Sequence, residues 1–411
     1  MLVLEYKVKG KKAQYTAIDD AIRTTQFIRN KAIRYWRDAD RALKVDKFAL
    51  NKYSTQLRKD FPFVTDLNSM ACQAAAERGW AAISRFYDNC KSKKPGKKAE
   101  NAVLGSPQVK RFSKTGFPRF KKDCRSVEYK TSGWRLHETK RRITFTDKKG
   151  IGELKLLGKW DLQTYDVKDI NRVRLICRAD GYYAQFCIVV NAVDTQPKTG
   201  QEIGLDVGIN SFYSDSNGHH EPNPKFLRKS ETTIKKSQRR IYKKVKGSSG
   251  RRKARKLYAK KHLTISRQRN EHAKRVARCV VKSNDLVAYE DLRVSNMVKN
   301  HCLAKSISDA SWYLFRQWLE YFALKFDKLA VAVPPHYTSQ KCSSCGVIVK
   351  KSLSTRTHNC SCGCELHRDV NAAVNILNRG LQARDGQSRS NAVGVGISTL
   401  VGESLLEQIL T

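Results

Sequence analysis

The stretch Ile203-Gly204-Leu205-Asp206-Val207-Gly208-Ile209 decides the fold of the second half of the chain. Apolar residues surround a single acid, which is typical of a buried β-strand. Two similar stretches follow, Leu286-Val287-Ala288-Tyr289-Glu290 and Leu329-Ala330-Val331-Ala332-Val333, and a double proline stops the second one. The pattern predicts a buried sheet with Asp206 inside one strand and Glu290 at the end of another.

A third acid, Asp369, lies in Arg368-Asp369-Val370-Asn371-Ala372-Ala373, at the predicted start of a helix. Buried carboxylates are costly unless they are paired, and pairing with arginine is the plain structural alternative for strand acids. If Asp206, Glu290 and Asp369 converge, two Mg²⁺ or Mn²⁺ ions between them would relieve their repulsion. Two such ions also drive the attack of water on a phosphodiester, so the acids are candidate catalytic residues.

The insert between the last strand and this helix contains a cysteine cluster. Cys342-Ser343-Ser344-Cys345-Gly346 is followed by Cys360-Ser361-Cys362-Gly363-Cys364. Two cysteine pairs at this separation predict a structural Zn²⁺ held by four thiolates. The match of each Cys-Gly favours Cys342, Cys345, Cys360 and Cys362 as ligands, with Cys364 open as the fourth and a disulfide as the alternative.

The composition indicates a polyanionic partner. The 411 residues include 80 Lys+Arg and 38 Asp+Glu, a formal net charge of +42, which is typical of a nucleic-acid-binding protein. The length predicts two or three domains. No apolar run is long enough for a membrane span and no signal-peptide core is present, so we expect no membrane partner and a cytoplasmic protein of prokaryotic type, nucleoid-associated when bound to DNA.

Positive charge is concentrated in two places. Residues 225–275 carry 21 Lys/Arg against two acids, and their thin apolar stripes predict a helical hairpin with a cationic outer face. From this hairpin we take Arg251, Arg252, Lys253 and Arg255 as nucleic-acid contacts. In the strand-rich region before it, the cations of Gly116-Phe117-Pro118-Arg119-Phe120-Lys121-Lys122 alternate with aromatic residues, which suits stacking on bases, so Arg119 and Lys121 are also candidates.

The three acids, the Cys-x-x-Cys-Gly insert and the motifs around them, including Tyr289-Glu290-Asp291-Leu292, resemble the TnpB (OrfB) family in this order. These insertion-sequence proteins are related to the type V CRISPR effectors. The resemblance extends over essentially the whole chain and includes Gly116-Phe117-Pro118-Arg119-Phe120-Lys121 ahead of the strand-rich region. His367 departs from it, since an acid is frequent there, and the second cysteine pair is one residue tighter than usual.

The resemblance implies an α+β multidomain fold in which a helical recognition domain is inserted in a β-barrel wedge domain and an RNase H-like RuvC domain with a zinc-ribbon insert follows. We expect the wedge at 1–12 and 101–197 and the recognition domain at 13–100. The nuclease domain would occupy 198–335 and 366–380, with the zinc insert at 336–365. A flexible tail is expected at 381–411, and Lys91–Lys98 reads as a basic linker.

The resemblance also implies a function, an RNA-guided DNA endonuclease encoded by a transposon. It would use a guide RNA from the element end to cut double-stranded target DNA beside a short flanking motif, by two-metal-ion hydrolysis at Asp206, Glu290 and Asp369. Gln73 and Thr131 fall where the family reads that motif, and we expect a monomer or weak dimer. The alternatives are a compact type V CRISPR effector, a guided DNA-binding repressor or transposase accessory protein without cleavage, and a DNA-strand-joining transposase.

Overall fold

The fold is described from a computed structural model of the chain. It covers residues 2–39, 45–91, 116–158, 162–189, 194–352 and 355–390. Most of the predicted basic linker, 92–98, lies outside these ranges. Residues 1–191 and 192–411 form two compact units, which are treated separately.

The helices of the first unit follow directly after its first strand. They are α1 (Lys12–Asp38), α2 (Lys47–Asp60), α3 (Pro62–Thr65) and α4 (Ser69–Lys91). Helix α2 begins where it does because the Asp46 carboxylate accepts a 2.8 Å hydrogen bond from the Ala49 amide. Proline at the first position of α3 has no N–H to leave unsatisfied, so it starts a new helix after α2 ends.

A seven-stranded antiparallel sheet makes up the rest of the first unit. Its strands are β1 (Leu2–Lys9), β2 (Ser126–Lys130), β3 (Trp134–Leu136), β4 (Arg142–Phe145), β5 (Gly152–Leu157), β6 (Ile170–Arg178) and β7 (Gly181–Ile188). The hydrogen-bonded order is β2-β6-β7-β1-β5-β4-β3. Among the described strands, no hydrogen bonds pair β2 with β3, the two end strands. The strands of the predicted wedge barrel therefore form a sheet that is not closed by hydrogen bonds. The two end strands are consecutive in the chain and are joined by the short turn Thr131–Gly133.

Helices and sheet of this unit share one apolar core. Ile18 and Ile28 of α1, Ile83 of α4 and Phe186 of the sheet are all fully buried in it. Burial of large apolar side chains is the main stabilising term for such a unit. The sheet therefore depends on the helices for its hydrophobic face.

The second unit contains a mixed five-stranded sheet in the order β10-β9-β8-β11-β12. Strands β8, β11 and β12 are parallel, while β9 and β10 are antiparallel to their neighbours. A separate two-stranded ribbon, β13-β14, lies in the cysteine-rich insert. The strands are β8 (Glu202–Val207), β9 (Ser211–Asp215), β10 (His220–Pro222), β11 (Leu286–Glu290), β12 (Leu329–Val333), β13 (Thr357–Asn359) and β14 (Glu365–His367).

Helices cover both faces of this sheet. They are α5 (Phe226–Tyr242), α6 (Ser249–Ser283), α7 (Val294–Met297), α8 (His301–Ala310), α9 (Trp312–Phe326) and α10 (Arg368–Ser390). Leu205, Val287 and Tyr289 pack with α6 and α9 on one face. On the other face Leu286 and Ala288 pack with Ile376 of α10. No helix in the described ranges is long and apolar enough to cross a membrane.

Helix α10 runs past residue 380, where the predicted nuclease domain ends. It continues to Ser390, beyond the start at residue 381 that we predicted for the flexible tail. Leu381 also packs against the small core beneath α10, so the first residue of the predicted tail is held by a tertiary contact. Residues 391–411 lie outside the described ranges.

Two glycines permit a close approach of α10 to the sheet. A Cβ atom on Gly204 of β8 would lie 2.1 Å from the Ala373 carbonyl oxygen, and one on Gly380 of α10 would lie 2.5 Å from the Ala288 Cβ. Any larger residue would force the helix away from the strands. The position of α10, and of every side chain that it carries, therefore depends on these two contacts.

Candidate functional site

The strands place two of the predicted acids on one face of the sheet. Side chains alternate along a strand, so Asp206 shares the face of Gly204, which is the face that α10 covers. In the same way Glu290 shares the face of Ala288, which also packs toward α10. Tyr289 is the register partner of Leu205 in the parallel pair β8-β11. Asp206 and Glu290 are the next residues of these two strands, so they lie side by side on adjacent strands.

The third acid comes from the first turn of α10. Asp369 is the second residue of this helix, and the helix lies directly over β8 and β11. Burial raises the pKa of Asp206, and the charges of Glu290 and Asp369 raise it further, whereas Arg368 acts against them. Asp206 thus lies close enough to each of the other two acids to interact with it electrostatically.

The carboxylates form a candidate cation site. Burial also raises the pKa of Glu290, although the Thr338 hydroxyl and Arg379 oppose this effect. Mutually repelling, partly buried carboxylates with oxygen donors fit Mg²⁺ or Mn²⁺. The oxygens of the three acids do not all lie within 4.8 Å of one another. In the described ranges, the groups of three donor atoms that meet this distance all belong to the cysteine insert.

Three polar residues that sequence reasoning missed connect the insert to the acids. The Thr338 hydroxyl donates a 2.5 Å hydrogen bond to Glu290 Oε1. Asn375 Nδ2 donates to the Thr338 carbonyl oxygen at 2.9 Å, and Asn371 Oδ1 accepts from the Ser343 amide at 3.0 Å. The only signal in the sequence was two asparagines four positions apart in the mostly apolar stretch 370–377, which did not identify their partners.

The cysteine cluster has the geometry of a tetrahedral metal site. Cys342, Cys345, Cys360 and Cys362 offer four sulfurs within 4.8 Å of one another. The Sγ–Sγ distances are 3.7 Å for Cys342–Cys362 and 3.5 Å for Cys345–Cys360. Four sulfurs placed tetrahedrally at about 2.3 Å from Zn²⁺ would be about 3.7 Å apart. The cluster can bind a metal ion.

Backbone turns orient these sulfurs. Gly346 and Gly363 follow the second cysteine of each pair and have φ values of +79° and +85°. Burial would raise the pKa of Cys342, but the Cys345 amide and the His358 ring lower it to about 5. The thiolate form that a metal requires is therefore favoured at this cysteine.

A second donor set overlaps the first. Cys342, Cys364 and the fully buried His358 also lie within 4.8 Å of one another. The sequence left open whether Cys362 or Cys364 is the fourth ligand. In the structure Cys364 lies beside the cluster but is not one of the four sulfurs that lie within 4.8 Å of one another. His358 was not a predicted candidate, since nothing in the sequence pattern distinguished it from a strand residue.

The predicted contacts Arg119 and Lys121 lie on a strap that is bound to α1. Arg29 Nη1 donates to the Arg119 carbonyl oxygen at 3.2 Å, and Asn30 Nδ2 donates to the Lys121 carbonyl oxygen at 2.8 Å. The backbone is thereby used for anchoring while both basic side chains are exposed. A groove beside the strap is lined by both cations and aromatic rings, which are Phe27, Lys31, Arg34, Tyr35, Tyr53 and Phe120.

Gln73 and Thr131 also lie in the first unit. Gln73 is a half-buried residue of α4, and Thr131 is exposed in the turn between β2 and β3. Helix α4 contacts this turn. Their predicted role in reading a flanking motif remains a prediction.

The basic hairpin consists of α5 and α6. Arg252, Lys253 and Arg255 are exposed on α6. Arg251 is half-buried, and its Nη1 donates to the Lys244 carbonyl oxygen at 3.0 Å, so it also closes the turn. At the other end of the hairpin the buried Asp309 accepts from the Leu227 amide at 2.9 Å and from Arg269 at 2.7 Å. The hairpin is thus fixed at its base and cationic along its length.

Comparison with known proteins agrees with this architecture. Residues 185–301 match the family OrfB_IS605, described as "Probable transposase", and residues 312–376 match the family described as "Cas12f1-like, TNB domain". The structure is similar to that of the protein in the "Cryo-EM structure of the Cas12f1-sgRNA-target DNA complex", with a TM-score of 0.51 over 89% of this chain and 81% of that chain at 13% identity. This likeness concerns the fold alone.

Two curated relatives carry descriptive names. A Streptomyces pristinaespiralis protein named "Putative RNA-guided DNA endonuclease" is 36% identical over 225 residues, which are 53% of this chain and 54% of the relative. The Escherichia coli (strain K12) protein "Putative RNA-guided DNA endonuclease InsQ" is 34% identical over 196 residues, 43% of this chain and 48% of the relative. Over these segments the chain is similar to insertion-sequence proteins of the TnpB (OrfB) type, and its fold is α+β and multidomain. It spans about half the length of these two relatives.

Proposed function

We propose that this protein is an RNA-guided DNA endonuclease encoded by a transposon. The observation that carries the proposal is that Asp206 lies close enough to Glu290 and Asp369 to feel both charges, with Asp206 and Glu290 on the face of the sheet that α10 covers. The mixed sheet and α10 would form an RNase H-like RuvC core, with the cysteine insert as its zinc ribbon. The first unit would combine the recognition helices with a wedge-type sheet, within the boundaries predicted from the sequence.

The three carboxylates have a defined task in this proposal. They would hold Mg²⁺ or Mn²⁺, and bound divalent ions supply an activated water and stabilise the leaving 3′-oxygen of a phosphodiester. Burial and the neighbouring acids make the ionised form of Asp206 unfavourable. A bound cation would therefore stabilise this carboxylate most. Arg368, whose charge favours the ionised form of Asp206, would keep that carboxylate available as a ligand.

The cysteine insert would have a structural task. Four thiolates leave no open coordination position, so Zn²⁺ there would stabilise the fold of the insert. Asn371 and Asn375 join the same segment to α10, the helix that carries Asp369. Metal binding in the insert would thereby support the nuclease site without taking part in its chemistry.

The surface charge supports guide RNA and double-stranded target DNA as partners. The relatives are named for RNA guidance, and the charge of +42 is distributed over both units rather than confined to one small patch. In RNA-guided recognition base pairing reads the sequence, so the protein needs mainly phosphate and shape contacts. The hairpin, the strap and its groove would provide these contacts, with Gln73 and Thr131 near the flanking motif. We expect a monomer or weak dimer.

Cleavage of plasmid DNA by the purified ribonucleoprotein tests the proposal. The RNA that copurifies would be sequenced, and a target matching it would be offered with randomised flanking bases in Mg²⁺. We expect cleavage of double-stranded DNA next to one short motif by the wild type and none by Asp206→Ala, while both bind target equally. Binding without cleavage by the wild type would indicate a guided repressor, and joined DNA ends would indicate a transposase.

A further inference from the structure

The segment between β12 and the first cysteine pair reaches the nuclease acids through Thr338. This threonine is 4% exposed, and its hydroxyl has two acceptors, Glu290 Oε1 at 2.5 Å and the Pro335 carbonyl oxygen at 3.2 Å. A hydroxyl has one proton to donate, and the shorter contact to a carboxylate is the stronger. Thr338 therefore restrains one oxygen of Glu290.

The threonine is itself held from α10. Asn375, 5% exposed, donates from Nδ2 to the carbonyl oxygens of Thr338 at 2.9 Å and Lys341 at 2.6 Å. Asn371, fully buried, donates to the same Lys341 oxygen at 2.8 Å and accepts from the Ser343 amide. Ser343 lies between Cys342 and Cys345, the first cysteine pair. One continuous set of hydrogen bonds therefore joins this pair, here called the cysteine knuckle, to Thr338.

We infer that Thr338 is a positioning residue for Glu290, and that Asn371 and Asn375 make its position depend on the folded cysteine knuckle. A restrained carboxylate binds a cation with less loss of conformational entropy than a free one, since its rotamer is already selected. The restraint leaves the second oxygen of Glu290 for a ligand role. This inference rests on the proposed function, because it assigns a role toward the cation that Glu290 would hold.

Two substitutions of nearly equal size separate the hydroxyl from the packing. Thr338→Val keeps the shape and removes the hydrogen bond, whereas Thr338→Ser keeps the hydroxyl. Full-length protein would be freed of nucleic acid by high-salt chromatography and titrated with Mn²⁺, with free Mn²⁺ measured by electron paramagnetic resonance. Binding that Asp206→Asn abolishes defines the nuclease site, and zinc content and thermal unfolding are measured on the same samples.

We expect Thr338→Val to weaken Mn²⁺ binding at this site by about tenfold, because an unrestrained Glu290 side chain must lose its rotamer freedom when it binds the ion. Thr338→Ser should restore most of the affinity, and both should retain the wild-type zinc content. Equal affinity of Thr338→Val and wild type would overturn the inference, as would equally weak binding by the Ser and Val variants. Failure of the wild type to cut DNA would instead count against the proposed function, since the Mn²⁺ titration requires no cleavage.

Discussion

The Sγ atoms of Cys342 and Cys362 lie 3.7 Å apart, while Cys364 stays outside the four-sulfur group. We therefore predict that Cys362→Ser loses bound zinc and that Cys364→Ser retains about one zinc per chain. The measurement is metal content by mass spectrometry after purification without added zinc. The pair is a matched control, because both cysteines lie on the same turn.

A reversed result would identify the second donor set, Cys342, His358 and Cys364, as the site. Zinc loss in both variants would indicate that the turn fails to fold without either thiol. Equal zinc in both, with no fall in stability, would exclude Cys362 as a ligand. Each outcome is distinct, so one experiment decides whether Cys362 or Cys364 is the fourth ligand.

Removal of the Asp206 charge should stabilise the protein when no divalent ion is bound. Burial and the charges of Glu290 and Asp369 raise the pKa of this carboxylate, so its ionised form is unfavourable in the fold. We predict that zinc-loaded Asp206→Asn unfolds at a higher temperature than wild type when neither Mg²⁺ nor Mn²⁺ is present. Added Mn²⁺ should raise the wild-type unfolding temperature more than that of the variant. A variant that is less stable without ions would argue for a purely structural Asp206.

The sequence predicted the parts of this site that depend on residue type and local pattern. Strands Leu286–Glu290 and Leu329–Val333 have the predicted bounds, because continuous apolar runs ended by an acid or by prolines leave little choice. The hairpin was also predicted, with Gly247-Ser248-Ser249-Gly250 expected as its turn, but Ser249 and Gly250 belong to α6. The Ser248 hydroxyl accepts from the Arg251 amide at 3.1 Å and so starts the helix two residues earlier.

The sequence could not predict contacts that arise from the register between distant segments. Thr338 meets Glu290 across 48 positions of the chain, and Asn371 meets Ser343 across 28. Neither pair has a local periodicity or a motif spacing of its own.

Gly204 should tolerate no side chain. Its added Cβ would lie 2.1 Å from the Ala373 carbonyl oxygen and 2.7 Å from the Leu377 amide, both backbone atoms of α10. We predict that Gly204→Ala lowers stability by about 1–3 kcal/mol or more and weakens cation binding, because α10 carries Asp369. Gly250→Ala in α6 is the control, since its nearest neighbour would be 3.8 Å away. It should raise stability slightly, and urea unfolding measures both. A neutral Gly204→Ala would contradict the close approach of α10.

The first unit should lose stability in acid through Glu128. Burial alone would raise the pKa of this carboxyl, but Arg78, Arg174 and Arg172 lower it to about 2. Because the folded pKa is below the unfolded value, the carboxylate stabilises the fold above about pH 4.5, and this contribution of roughly 3 kcal/mol disappears as the pH falls toward 2. Arg78, whose own pKa is lowered by burial, offsets part of it.

Urea unfolding of wild type and Glu128→Gln between pH 7 and pH 3 measures this contribution. The variant should be less stable at pH 7, because it leaves buried guanidinium groups without their anion. The difference between the two proteins should shrink as the pH falls. A difference that stays constant over this range would assign the cost to packing rather than to charge.

The exposed face of the basic hairpin gives a prediction that separates phosphate binding from general charge. Replacing the hairpin cluster by glutamine should lower the slope of log affinity for RNA against log salt by about 0.7 for each phosphate that is no longer neutralised, so by roughly 2 to 3 in total. The lower value applies if Arg251, which also bonds the Lys244 carbonyl oxygen, serves mainly the turn. The cluster comprises Arg251, Arg252, Lys253 and Arg255. The control replaces four scattered, exposed lysines by glutamine, which are Lys148, Lys155, Lys168 and Lys198. Equal slopes for the two variants would mean that the hairpin acts only through the net charge of the protein.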